Sequence, residues 1–541
     1  MRRIVAFFAF SSFFLVHRQA SAQFEDGQFS GNFQADVQYY IPDSTIGAAE
    51  VKEKARMNSW LNLNYTAGKL RAGIRYEAYL PPLLGFEHVE QGAGIAYRYA
   101  TYQANELEIT AGHFYDQFGN GTIFRAYEEK QLGIDNAIDG ARVVYRPRPG
   151  VALKGIYGKQ RLNFGYGSGL VRGADAELRL NNLIPALDSS ANQITIGGSF
   201  VSRYQQDLDP IYILPENVSA FSGRVGFSRY GFIADAEVAY KINDPSASNG
   251  LIYKSGNSVL IRTGYSRPGF GANISIKRLD NMDFRSDRNA QFNNLTLNFL
   301  PAITRQYTYR LATIYPYATQ PNGEAGFQAD VVYTIPKGTQ LGGKYGTNIA
   351  INFSRINAID TVRLGNELGY EADFFKLGDR TYYQDFNVEV NKRITNNIKG
   401  TFTYIHLLYD RDQIIANEGV GIVESHIGVA DVLVKLNRKH AIRTELQHLY
   451  TKKDMGSWAM ALIEYSYSPH WFITLWDEYN YGNPLDSRKI HYYTGGLTYI
   501  KGGNRIGMYY GKQREGIVCI GGICRSVPAY NGFTLSVSST F

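Results

Sequence analysis

The sequence predicts a closed antiparallel transmembrane β-barrel of about 24 strands, with 22 and 26 as the neighbouring counts. Three observations carry that fold class. Apolar and polar side chains alternate with a period of two from end to end. No apolar run beyond the first 22 residues is long enough for a membrane helix, which needs about 18 residues. The chain also finishes on a strand-like segment ending in an aromatic residue: Phe533, Leu535, Val537, Ser539 and Phe541 on one face, and Thr534, Ser536, Ser538 and Thr540 on the other.

Residues 1–22 read as an export signal rather than as structure. Arg2 and Arg3 supply the positive start, Ile4 to Val16 the apolar core, and Ala20-Ser21-Ala22 the small-residue cleavage site before Gln23. Residues 23–541 then read as one barrel domain, since no linker or low-complexity tract divides them. Losing Arg2, Arg3 and Arg18 lowers the formal charge from +7 to +4, and no basic block interleaves with aromatics, which argues against nucleic acid as a partner. The 41 tyrosines suit a protein with two lipid–water boundaries, where the ring sits in hydrocarbon and the hydroxyl stays wet.

The alternation places charges of both signs on the face opposite the apolar one. Arg71, Arg75 and Glu77 oppose Leu70, Ile74 and Tyr76; Asp175, Glu177 and Arg179 oppose Ala176 and Leu178. Asp235, Glu237 and Lys241 oppose Ala236, Val238 and Tyr240. A soluble sandwich also alternates, but mixed signs in strand after strand suit a lumen, where each charge needs a neighbour across a confined space. These nine residues are the lumen candidates.

Short turns alternate with long connections, as expected for periplasmic turns and extracellular loops. Turns fall at Ala67-Gly68, Ala104-Asn105, 147–150, 267–269, 437–440, 468–470 and 501–504. Longer segments fall at 42–55, 81–91, 116–137, 205–216, 243–255, 279–323, 356–379, 410–424 and 513–530. Thr304 to Tyr317 alternates like a strand, yet strand parity closes only if it folds back into a loop or the lumen. About 22 strands already enclose a lumen that needs a plug. Strand-like alternation begins by Gln28, so the long loops or a partner chain must supply it.

The chemistry-bearing residues are sparse. Nine histidines are dispersed without HxH or HExxH spacing, so no metal site is expected. Asp207-Leu208-Asp209 and the set Asp280, Asp283 and Asp287 offer carboxylates for calcium but lack a binding-loop pattern, and read as solvated loops. With no GxSxG elbow, a barrel-embedded hydrolase is the remote alternative, and no catalytic residue or cofactor is expected. Cys519 and Cys524 flank Gly521-Gly522 and, in an exported chain, are expected to pair in the last external loop. The glycines, paired acids and Arg125 between Phe118 and Asn136 suggest a folded loop that turns inward. Tyr157-Gly158-Lys159-Gln160-Arg161 is echoed by Tyr510-Gly511-Lys512-Gln513-Arg514, which suggests a basic rim.

The segments LGIDNAIDG (Leu132 to Gly140), IYPYATQPNGE (Ile314 to Glu324), YYQDFNVEVNKR (Tyr382 to Arg393) and CIGGICRSVPAYNGF (Cys519 to Phe533) carry a family likeness. Through them the chain resembles a Bacteroidetes-type family of uncharacterised outer-membrane barrels with a domain of unknown function. The resemblance implies location and fold, with no substrate and no functional residue. The expected function is a non-catalytic porin-like channel for small solutes or a loop-plugged subunit; the alternative is a scaffold in an outer-membrane secretion or assembly complex. Expected partners are outer-membrane lipids, the barrel insertion machinery, which would read the terminal Phe541, and proteins of an envelope complex.

A disulfide closing so short a ring contributes at most roughly the 3 kcal/mol of a 15-residue loop. Cys519→Ser with Cys524→Ser should therefore leave the amount of folded barrel in outer-membrane fractions unchanged. A loss of that band would show that the pair is needed for assembly.

Overall fold

The computed structural model describes residues 27–86, 89–416 and 419–541. The export signal expected at residues 1–22 lies outside them, as does His88. Twenty-four strands form one sheet in which each pairs antiparallel with its neighbours in sequence. The ring closes where Gly27–Tyr40 pairs with Tyr530–Thr540, from Asn32 opposite Thr540 to Tyr40 opposite Gly532. Beyond the last strand, Phe541 adds one more rung: the Gly31 N–H donates to its carbonyl at 2.8 Å, and its own N–H donates to Gly31 at 3.0 Å.

The period-two pattern decides which way each side chain points. Along Phe232–Lys241, Val238 and Tyr240 are exposed on the outside, whereas Glu237, Ala239 and Lys241 are buried inside. The outward aromatics gather at two levels. Tyr102, Tyr145, Tyr265, Tyr333 and Tyr467 lie near the turns, while Tyr76, Tyr157, Tyr240, Tyr404 and Tyr510 lie toward the loops. Aliphatic residues such as Val225, Ile274, Ile351 and Leu446 lie between them. Two aromatic girdles around an apolar band are the outer surface of a membrane barrel, and they account for the tyrosine excess.

On the turn side most connections are tight. At Tyr230-Gly231 both central residues have positive φ, 46° and 84°, the twist that a two-residue hairpin requires. Three connections depart from the expected asymmetry. Residues 180–192 and 336–346 are longer turns, and the loop-side connection at Asn163-Phe164 is only two residues. The segment 356–379, expected as a loop, is mostly strand: Thr347–Arg363 and Tyr370–Arg393 run on as a tall hairpin past register shifts between Ile356 and Thr361. Those bulges break the alternation that would have marked the extension as strand.

Thr304 to Tyr317 forms no strand. Its alternating apolar residues instead pack inside the barrel, with Leu311, Tyr315 and Tyr317 buried against the inner wall at Tyr383, Leu407 and Tyr409.

A Cβ on Gly31 would sit 2.7 Å from both the Phe541 ring and the Asn62 carbonyl. Gly31→Val and deletion of Phe541 should both lower the heat-modifiable folded band in outer-membrane fractions. Gly155→Ala, where nothing lies within 4 Å, should leave it unchanged; equal yields of all three would remove the closing rung from the account of assembly.

Candidate functional site: a lumen closed from the loop side

The lumen is filled toward the loops and hollow toward the turns. Ile233 and Val332 point inward by their strand positions yet remain 54% and 40% exposed near the turn side. Above them, segments 115–137 and 281–322 fold into the barrel. Phe118, Ile123 and Phe124 from the first pack with Met282, Phe284 and Leu297 from the second against Ile156, Val171 and Val218 of the wall. The second segment continues across the lumen to a separate apolar cluster around Tyr383, Ile405 and Trp458. Backbone bonds stitch the two segments together: Arg125 N–H to the Leu297 carbonyl at 2.7 Å and Phe299 N–H to Gly121 at 2.9 Å.

Charge selects which loop meets which wall. Segment 115–137 brings carboxylates to a basic sector. Asp135 pairs with Arg75 and Arg161, and Asp116 pairs with Arg142 and with Lys154 at 2.7 Å. Glu77 completes the first group, 2.7 Å from Arg75 and paired with Arg161. Segment 281–322 brings bases to an acidic sector, where Arg305 pairs with Glu389 and Arg310 with Glu478. Glu237 anchors the first segment by accepting from Asn120 N–H at 2.7 Å and from the Thr122 hydroxyl. Lys241 donates to the Asp283 carbonyl and lies 3.3 Å from Asp244.

The nine lumen candidates therefore fall into two levels. Arg75, Glu77, Asp175, Glu237 and Lys241 are buried, whereas Glu177 and Asp235 are half-buried and Arg71 and Arg179 are exposed near the turns. Asp175 and Glu177 share Arg224, at 2.8 and 3.5 Å, and Asp235 pairs with Arg262 at 3.1 Å. The expected basic rim does not form: Arg161 is buried on Glu77 and Asp135, and Arg514 reaches Glu478 at 3.4 Å. A register shift between Lys159 and Arg161 turns Arg161 from the lipid side into the lumen.

The acidic loop residues separate. Asp207 accepts from the N–H groups of Leu214 and Asp209, at 2.9 and 3.1 Å, which hold its carboxyl below the ordinary range. Asp280 accepts from the Tyr370 hydroxyl, Asp283 from Arg285, and Asp287 from Ser168.

The last connection forms a hairpin, Gly516–Ile520 with Ile523–Val527, bridged by the Cys519–Cys524 disulfide. Gly521 and Gly522 form its tip with φ of 61° and 91°. A Cβ on Gly522 would meet the Thr319 hydroxyl at 2.2 Å, so only glycine lets the tip dock on segment 281–322. There the Ala302 N–H reaches Gly521 at 3.1 Å and the Thr319 N–H reaches Gly522 at 2.9 Å.

Next to Cys524, Arg525 ties this hairpin to two other loops. It donates to the Gln131 carbonyl at 2.6 Å and to Gly85 at 3.4 Å, and its guanidinium lies 3.9 Å from the Phe86 ring centre. Arg525 borders two cavities. One, of about 460 Å³, lies among the loops beside Asp135, Arg161 and Asn293. The other, of about 320 Å³, lies against the inner wall where first and last strands meet, beside Gln34, Asp36, Trp60, Tyr530 and Ser536. Sequence reasoning marked the loop holding Asp135 and the cysteines beside Arg525, but not these two residues themselves.

The family model described as "Family of unknown function (DUF6029)" matches residues 1–541. No curated protein matches the chain. Among solved structures, the translocation pore of the P pilus usher (PapC) is similar at 10% identity over 95% of this chain and 99% of that one, with a TM-score of 0.45. The siderophore receptor PirA from Pseudomonas aeruginosa is similar at 9% identity over 95% and 80%, TM-score 0.41. The outer membrane protein opdK from Pseudomonas aeruginosa is similar at 13% identity over 80% and 99%, TM-score 0.35. At these identities the likeness is one of barrel architecture.

Glu77→Ala removes the carboxylate that Arg75 and Arg161 share. Breaking a buried charge group from one side costs about 3–5 kcal/mol, so denaturant unfolding in micelles should shift to a clearly lower midpoint. Arg71→Ala, on an exposed side chain, should leave the midpoint in place; equal shifts would count against the buried network.

Proposed function

We propose that this chain, which belongs to DUF6029, the family of unknown function, is a non-catalytic outer-membrane channel for small polar solutes that its own loops hold shut. One observation carries the reading: among the described residues, Arg525 is the cation that borders both the cavity in the loop layer and the cavity at the strand seam. The two large apolar clusters fasten the plug to other sectors of the wall, while the seam sector holds a cavity of mixed lining beside a smaller apolar cluster around Trp60 and Phe86. Gln34, Gln38, Asn58, Thr534 and Ser536 offer amides and hydroxyls there, with Asp36 and Lys130 as the charges and Tyr40, Trp60 and Tyr530 as flat apolar faces. Such a lining favours solutes rich in hydroxyl or amide groups over strongly charged ones. Release of Arg525 from Gln131 and Gly85 joins the two cavities, and the hollow lower lumen completes the path.

The scaffold reading has its own support. Leu208, Ile211 and Ile213 on a loop and Phe375 on the tall hairpin stand highly exposed, an unusual cost for a surface that meets only water. Planar-bilayer recording distinguishes the two. The wild-type barrel should conduct little, and Arg525→Ala, or reduction of the Cys519–Cys524 bond, should produce stable and larger conductance steps. Silence of the folded Arg525→Ala barrel, together with a partner that co-purifies, would replace the channel with the scaffold.

A further inference from the structure

The lumen uses none of the side chains that gather on the opposite face of the strands Ile398–Asp410 and Ile422–Lys435. His406 and His426 are directly opposite in register, although twenty residues separate them in the chain. Glu424 lies two residues nearer the loop rim on the same outward row. Its Oε1 is 3.0 Å from His406 Nε2 and 4.0 Å from His426 Nε2, and the two imidazoles stack with centres 4.8 Å apart. One donor atom from each of the three lies within 4.8 Å of the others.

Tyr404 orients the site. Its hydroxyl is 2.8 Å from His426 Nδ1, so in the tautomer whose Nδ1–H donates to that oxygen, Nε2 keeps its lone pair toward Glu424. Phe402, Ala430 and Val432 continue the same outward rows toward the membrane centre, with Phe402 exposed. The three ligand-bearing side chains thus stand just above the apolar band, beside the loop-side aromatic girdle. They are partly exposed there and open to water.

We propose that His406, Glu424 and His426 form a binding site for a divalent transition-metal ion of the zinc type on the outer wall of the barrel. Two imidazoles and a carboxylate are a donor set that such ions take, with bond lengths of about 2.0–2.2 Å. Calcium and magnesium call for an oxygen cage that is absent from this trio. Ligands around a tetrahedral ion stand roughly 3.5 Å apart by those bond lengths, so small side-chain rotations bring the three donors onto one ion. The fourth position faces outward, where water fills it. Without metal, the same trio amounts to a surface hydrogen-bonded pair worth little to stability, so its loss should not disturb the barrel.

The test is Zn²⁺ titration of the detergent-folded protein against a chromophoric chelator, with heat-modifiable migration confirming that each variant is folded. One equivalent should bind to the wild type. His406→Ala with His426→Ala should abolish that equivalent, and Tyr404→Phe should weaken it about 10-fold by removing the orienting hydroxyl. His448→Ala, on the adjacent strand, should bind as the wild type does. The proposal is overturned if the folded double variant binds Zn²⁺ as tightly as the wild type, or if the wild type takes up none.

Discussion

Hydrocarbon offers no hydrogen-bond partner to a peptide group, so every strand in the bilayer must find its neighbour and the sheet must close on itself. In this chain closure rests on the pairing of residues 32–40 with 532–540, extended by the mutual bonds of Gly31 and Phe541. The aromatic ring of Phe541 lies where a side chain on Gly31 would have been, so the two ends of the chain are fitted to one another. The rest follows from that ring. Twenty-four strands set a circumference whose interior is too wide for wall side chains to fill, and the need for a plug is therefore a consequence of closure.

Filling the interior raises an electrostatic problem that the wall alone leaves open. Buried charges cost several kcal/mol each unless they are paired. The wall is unevenly charged, with Arg75, Arg142, Lys154 and Arg161 in one sector and Asp385, Glu389 and Glu478 in another. The two inserted segments have the matching signs: Asp116, Glu128 and Asp135 in the first, Arg305 and Arg310 in the second. Apolar burial drives both segments inward, but it does not distinguish one sector from another. The charges do, and they fix where each segment docks.

Much of this was legible because a period of two survives wherever a strand faces lipid on one side. Strand number and the inward set from Arg75 to Lys241 follow from that rule, while the inward turn of the loop after Phe118 was marked by its glycines, paired acids and Arg125. Two features escaped it. Arg161 lies just past a register shift, where the strict alternation that assigns each side chain to lumen or lipid is broken. The tall hairpin above Ile356 is concealed by repeated shifts of the same kind. Thr304 to Tyr317 alternates without being a strand, because packing one side of an extended segment onto a wall makes the same demand on sequence as pairing it, and strand parity is what marked it as folding back. His406 and His426 escaped for a different reason: cross-strand neighbours are separated by a whole hairpin, and spacing along the chain does not report it.

The plug also shows where movement is cheapest. Segments 115–137 and 281–322 are held by two apolar clusters, several buried ion pairs and bonds between their backbones, so displacing either exposes many groups at once. The terminal hairpin is different. It leans on segment 281–322 through backbone bonds at its tip and the Asn293 amide on the Cys524 carbonyl, and Arg525 reaches the loops at Gly85 and Gln131. Hydrogen bonds from a charged donor contribute about 1.5–3 kcal/mol each, far less than the contacts that hold the remainder of the plug. The disulfide stiffens the hairpin as a unit and places Arg525 at its edge, so the contact can break without the hairpin unfolding. On the proposed channel reading, a barrel closed in this way need not expel its plug to conduct, because the contact made by Arg525 lies beside the seam cavity and outside both large apolar clusters.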